Sequence, residues 1–151
     1  MSNKFPRLVL NEAKAVSTNT IHRVMFTWKD GMFSKAFIAS FYNTLTMLSA
    51  ELSGRSYGGG VLKLEPSEAE RLKVFRPHDI DFVKDLAALL PKVDRLLRAK
   101  AFDEVLRTVD QLILQQQFKV DESTLGRLSQ AYRSLRQKRL MRTKPLKELS
   151  Q

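Results

Sequence analysis

Apolar and polar residues alternate along the first third of the chain at the spacing of extended backbone. Leu8-Val9-Leu10 is a short apolar run, and within residues 20–28 Val24, Phe26 and Trp28 share one side while Arg23 and Thr27 share the other. Such period-two patterning predicts strands. Asp30-Gly31 marks a turn. From Phe33 the period lengthens, because Phe33, Phe37, Phe41, Leu45, Leu48 and Leu52 recur at steps of three or four and Gly54 supplies a stop. One long buried helix is expected there. Gly54-Arg55-Ser56-Tyr57-Gly58-Gly59-Gly60 then leads into the strand-like Val61-Leu62-Lys63-Leu64, and Ser67 with Glu70 has the capping-box spacing that opens a short helix. From Asp79 onward the pattern is helical: residues 79–90, 91–101, 103–116 and 121–141, the last carrying Leu125, Leu128, Tyr132 and Leu135 on its apolar side. These elements predict an α+β chain. Residues 1–76 form a mixed α/β portion, a small mixed sheet with a long buried helix. Residues 77–151 form a helical portion with a basic C-terminus, and Arg76-Pro77 is the seam.

Composition adds a sign to this outline. With 43% hydrophobic residues in 151 the chain can bury an ordinary core, and 26 Lys and Arg against 16 Asp and Glu leave a formal charge of +10. A polyanion, nucleic acid first, is the partner such a charge attracts. The absence of cysteine removes disulfides, thiolate nucleophiles and Cys-based zinc sites. Met1-Ser2-Asn3-Lys4-Phe5-Pro6 has no apolar run behind it, and no segment approaches the roughly 18 apolar residues of a membrane span. A cytoplasmic protein without a membrane partner is expected.

Catalytic patterns are missing. A phosphate loop needs a strand, then glycines, then a helix, and here the order is reversed. Gly54 and Gly59 stand at Walker spacing, but Gly60 occupies the place of the lysine. His22 and His78 lie in different predicted elements with no ligand pattern around them, and no Gly-x-Ser-x-Gly selects a nucleophile. The pairs Asp79/Asp81 and Glu68/Glu70 sit at predicted helix starts, where the macrodipole favours negative charge. No catalytic residue, metal site or cofactor is therefore assigned to this chain.

Two features favour nucleic acid. Residues 123–147 contain no acidic side chain but eight cations: Arg127, Arg133, Arg136, Lys138, Arg139, Arg142, Lys144 and Lys147. Projected on a helix they go right around it, with Arg139 on the apolar face, so the end of the helix is expected to leave the core. It then serves either as a set of phosphate contacts or as a solvated basic tail. In the glycine segment, Arg55 offers a planar fork for phosphate or a guanine edge, Tyr57 a ring and a hydroxyl, and the glycines a close backbone approach. The alternative is a tight helix-to-strand connection with Tyr57 packed for stability.

The stretch from Ser40-Phe41-Tyr42-Asn43-Thr44 through Gly54-Arg55-Ser56-Tyr57-Gly58-Gly59-Gly60 to Pro66-Ser67-Glu68 resembles the C-terminal region of bacterial adenine-specific DNA methyltransferases of restriction-modification systems. Pro6-Arg7-Leu8-Val9-Leu10-Asn11 and Thr18-Asn19-Thr20-Ile21-His22-Arg23-Val24 are similar to segments that precede it, and Val109-Asp110 and the cluster from Arg136 to Arg142 to segments that follow. The resemblance implies a fold like a target-recognition domain, in which Arg55, Ser56, Tyr57, Gly58, Gly59 and Gly60 face double-stranded DNA and Arg136, Lys138, Arg139 and Arg142 hold phosphates. It implies a methyltransferase catalytic domain or subunit as partner, which binds S-adenosylmethionine. That family's cofactor glycine motif and its Asn/Asp-Pro-Pro-aromatic motif have no counterpart here. Alternatives are a structural domain packed on the catalytic domain and a stand-alone nucleic-acid-binding regulator.

Overall fold

Asp30 opens the first helix, α1 (Gly31–Phe41), by accepting the Met32 amide at 2.8 Å. In the computed structural model, which describes residues 4–18, 20–27 and 30–142, this helix does not run on to Gly54. It ends at Tyr42, and α2 (Thr44–Ser53) starts afresh. The cause is local polar chemistry. Asn43 is extended; its side-chain oxygen accepts the Thr46 amide, and its side-chain nitrogen donates to the Ser40 carbonyl and the Thr46 hydroxyl. Such a cap stabilises a new helix by about 1 kcal/mol. Asp110 reinforces it from far along the chain, accepting the Thr44 amide at 2.7 Å and the Thr44 hydroxyl at 2.6 Å. Burial pushes the Asp110 carboxyl above the usual carboxylate range, and its two bonds from Thr44 oppose that rise. The restart also turns the helix: Met47 and Ala50 are buried, whereas Leu45 and Leu52, expected inside, are exposed.

The strands expected before α1 do not form among the described residues. A strand needs a partner strand, and among the described residues no strand pairs with residues 8–10 or 20–27. The segment is instead pinned at points. Phe5 stacks on Phe102 at 3.5 Å, the Tyr42 hydroxyl donates to the Leu8 carbonyl and accepts the Leu8 amide, His22 bonds the Leu64 carbonyl oxygen, and Phe26 meets Phe37 edge-on. Trp28 lies outside the described residues. Among the described residues the sheet is a two-stranded antiparallel ribbon, β1 (Arg55–Tyr57) with β2 (Val61–Lys63), not a mixed sheet.

Beyond the ribbon, α3 (Pro66–Ala69) starts earlier than the Ser67/Glu70 spacing suggests. Pro66 takes the first helical position, where no amide is needed, and the Glu68 carboxylate reaches back to the Glu65 amide. α4 (Ile80–Arg98) runs through Pro91, where two helices were expected. Interior proline costs roughly 3 kcal/mol. Burial offsets it, because Val83 and Leu86 before the proline and Val93 and Leu96 after it lie on one buried face along α1. α5 (Phe102–Asp110) passes into a π-helical turn over Gln111–Gln117, and α6 (Glu122–Met141), capped by Asp121, packs along α2. One buried cluster joins Phe41 and Met47 to Val83, Val105, Ile113 and Tyr132, so it draws on both sides of Arg76-Pro77. No helix among the described residues is long and apolar enough to cross a membrane.

Candidate nucleic-acid interface

Leaving α2, the chain passes close under its own return strand. A Cβ on Gly54 would stand 2.7 Å from Leu62 Cδ1 and 2.9 Å from the Ala50 carbonyl oxygen, so only glycine lets β2 lie this near the helix end. In the ribbon Arg55 faces Lys63, Ser56 faces Leu62 and Tyr57 faces Val61. The connection is a 3₁₀ turn over Gly58–Gly60, in which Gly59 and Gly60 take φ of +79° and +64°. These are left-handed values that side chains with a Cβ resist.

The outward face carries charge and a ring. Arg55, whose side chain is 63% exposed, donates from Nε to Glu68 Oε1. The bond to the Glu65 amide, together with Arg55, holds the Glu68 carboxyl below the usual range despite desolvation; Glu68 in return raises Arg55. Lys63 pairs with Glu65 at 2.6 Å and sets its ammonium 5.1 Å from the centre of the Tyr57 ring, the bond to Glu65 raising its pKa. Ser56, Tyr57, Gly58 and Gly59 are exposed, and Gly60 is buried. The arrangement is an edge with two cations flanking a half-open aromatic ring, chemistry suited to phosphate and base contacts.

The inward face is different. Gly60's carbonyl oxygen accepts a hydrogen bond from Arg139 Nη1. The same guanidinium grips Glu51 with two bonds, Nε to Oε2 at 2.8 Å and Nη2 to Oε1 at 2.7 Å, and Nη2 lies 3.5 Å from the Lys4 carbonyl oxygen. Both side chains are withdrawn from solvent, Arg139 to 4% and Glu51 to 2% exposure. Arg139 is thus built into the interior, and the end of α6 stays docked rather than leaving the core. Arg136, half-buried, donates to the Lys4 carbonyl at 3.1 Å; Lys138 and Arg142 are exposed. Lys144 and Lys147 lie outside the described residues.

Of the residues expected at a DNA surface, the structure places Arg55 to Gly60 on the ribbon and its turn, while Glu51, Lys63 and Glu68 were not among those expected. Glu51 had a signal: Arg139 is a cation on the apolar face of its helix, and a buried cation demands a buried anion. Residues 1–114 match the model of the C-terminal domain of the Type II methyltransferase M.Eco57I. The chain belongs to that family. Searches of curated proteins and of solved structures return no match. The family span holds the ribbon and α1 to α5 but not α6, so the arginine that grips the glycine turn lies outside it.

Proposed function

We propose that this chain is the DNA-contacting, non-catalytic part of an adenine-specific DNA methyltransferase of a restriction-modification system. It is a target-recognition module that holds double-stranded DNA for a separate catalytic domain. The observation that carries the reading is the outward edge of the ribbon, where Arg55, Ser56 and Tyr57 stand exposed on backbone held from behind. Arg55 is itself exposed and bonds the Glu68 carboxylate through Nε, which leaves its two terminal nitrogens for a phosphate or a guanine edge. Lys138 and Arg142 supply further phosphate contacts, and Arg136 can join them by releasing the Lys4 carbonyl. Methyl transfer and S-adenosylmethionine binding fall to the catalytic partner, as does extrusion of the target adenine. Cytoplasmic location follows from that role.

A second reading has an observation of its own. Val16 and Met25, in the segment before α1, are 96% and 90% exposed, and Val9, Ile21 and Val24 of the same segment are exposed too. So many exposed apolar side chains on one segment favour a protein surface as cover, and the catalytic domain is that cover if the chain serves as its scaffold. Titrating labelled duplex DNA, single-stranded DNA and RNA into the purified chain at several salt concentrations separates the readings. The DNA-contacting reading expects duplex binding that weakens with salt in proportion to the phosphates engaged. Absence of duplex binding near physiological salt would leave the scaffold, and preference for RNA would point to a stand-alone regulator.

A further inference from the structure

A ribbon of two three-residue strands is not stable by itself. Among its fastenings are Leu62 buried beneath Gly54, Glu65 paired with Lys63, Glu68 holding Arg55, and Arg139 holding Gly60. The last comes from the distant α6, which also packs against β2. Arg139 is also the point where segments 135, 88 and 79 residues away meet, through Lys4, Glu51 and Gly60. Its planar fork meets both oxygens of Glu51 and still has Nη1 for the Gly60 carbonyl, a geometry that a lysine ammonium cannot reproduce.

We propose that Arg139 is a positioning residue that sets the glycine turn, and that α6, outside the family span, is a working part of the recognition edge. Glu51 orients the guanidinium, and the guanidinium fixes the carbonyl of a residue with positive φ at the end of the turn. Arg55 and Tyr57, on the strand before the turn, thereby keep a constant projection. The value of this for DNA rests on the reading above; the latch itself does not.

Amide hydrogen exchange on the free chain tests the latch without DNA. Removing one charge of a buried pair endangers the fold, so the principal variant replaces both, Glu51→Met with Arg139→Met, a change that buried pairs commonly tolerate. The expected result is exchange about tenfold faster or more at residues 55–63, with α4 protected as before. Arg139→Lys, which keeps a charge opposite Glu51 but loses the second arm, should fall between the double variant and the native chain. Unchanged exchange at residues 55–63, or the same rise throughout the chain, overturns the proposal. A DNA arm distinguishes the two layers. The double variant should leave the slope of log affinity against log salt unchanged, whereas Lys138→Ala should reduce its magnitude by ~0.9 if that lysine meets a phosphate. A slope reduced by the double variant, with exchange unaltered, makes Arg139 a phosphate contact and overturns its positioning role. Absence of DNA binding removes the recognition reading and leaves the exchange result to decide the latch.

Discussion

The ribbon is held by two arginine-glutamate pairs that are alike in chemistry and opposite in setting. Outside, Arg55 is 63% exposed over a Glu68 side chain that is only 10% exposed; inside, Arg139 and Glu51 are both withdrawn from water, at 4% and 2%. Arg55 of the outer pair is exchangeable, because water solvates its exposed guanidinium, and the Glu68 carboxylate keeps the Glu65 amide when Arg55 departs. The inner pair is not, because each charge lost leaves the other stranded in a poorly polarisable interior. The recognition role proposed above would use both kinds, one to release its arginine to a ligand and one to hold the backbone still while it does so.

The sharpest way to break the contrast is to cut each pair singly. Glu51→Ala or Arg139→Ala should cost about 3 to 5 kcal/mol of folding stability, measured by urea unfolding. A loss as small as that of an exposed pair would mean that the interior around Glu51 admits water.

A smaller effect comes from Tyr132, which lies within the electrostatic reach of the inner pair. Its hydroxyl is buried and hydrogen-bonds to none of the described residues. Burial pushes it up to about 12, with Glu51 adding to the rise and Arg136 and Arg139 opposing it. An unfolded tyrosine loses its proton near ~10. Between those values the unfolded chain binds fewer protons than the folded one, so stability falls as pH rises. The contribution, about 2 to 3 kcal/mol, is complete below pH ~10 and gone above about 12. Comparing unfolding of the native chain and Tyr132→Phe from pH 9 to 12 isolates it, and parallel curves would show that the hydroxyl is not confined.

The outer pair gives the smallest change in stability and the clearest change in binding. Arg55→Ala should lower the melting temperature far less than cutting the inner pair, since Arg55 is exposed and Glu68 keeps its bond to the Glu65 amide. Affinity for a preferred duplex should drop by roughly tenfold to a hundredfold if Arg55 reads a base edge, and all duplexes should weaken alike if it grips phosphate. Native affinity and discrimination in that variant would remove Arg55 from the DNA surface.

What was legible in the sequence follows the range of the interactions involved. The helical period and local caps placed α6, and α5 taken together with its π-helical turn, within a residue or two, and the triple glycine marked the turn whose φ values require it. Two errors arose where distant partners decide. The continuous apolar period from Phe33 to Leu52 hides a helix break that Asn43 starts and Asp110 completes across the chain. The alternation within residues 20–28 reads as a strand, yet nothing in the fold offers the described part a ladder to join. A third error, at Pro91, came from trusting a local rule that the apolar face of α4 outweighs. In the candidate site, Arg55 and Tyr57 were picked out by residue type and spacing and stand exposed, whereas Arg139, picked out in the same way, is buried. The buried Glu51 was not picked out, because its importance depends on Arg139, 88 residues later.

That separation also sets an order of events during synthesis. The glycine turn leaves the ribosome well before the helix that holds it, since Arg139 follows Gly60 by 79 positions. At roughly 5 to 20 residues per second, the interval is about 4 to 16 s. Throughout it Glu51 stays hydrated and uncommitted while α1 and then α4 become available to pair. A nascent chain, or one clipped by a protease ahead of Arg139, therefore has the means to build its apolar centre with the ribbon still loose. Completion of the last helix is the event that finishes the edge, and a domain cut at the family boundary would be released without it.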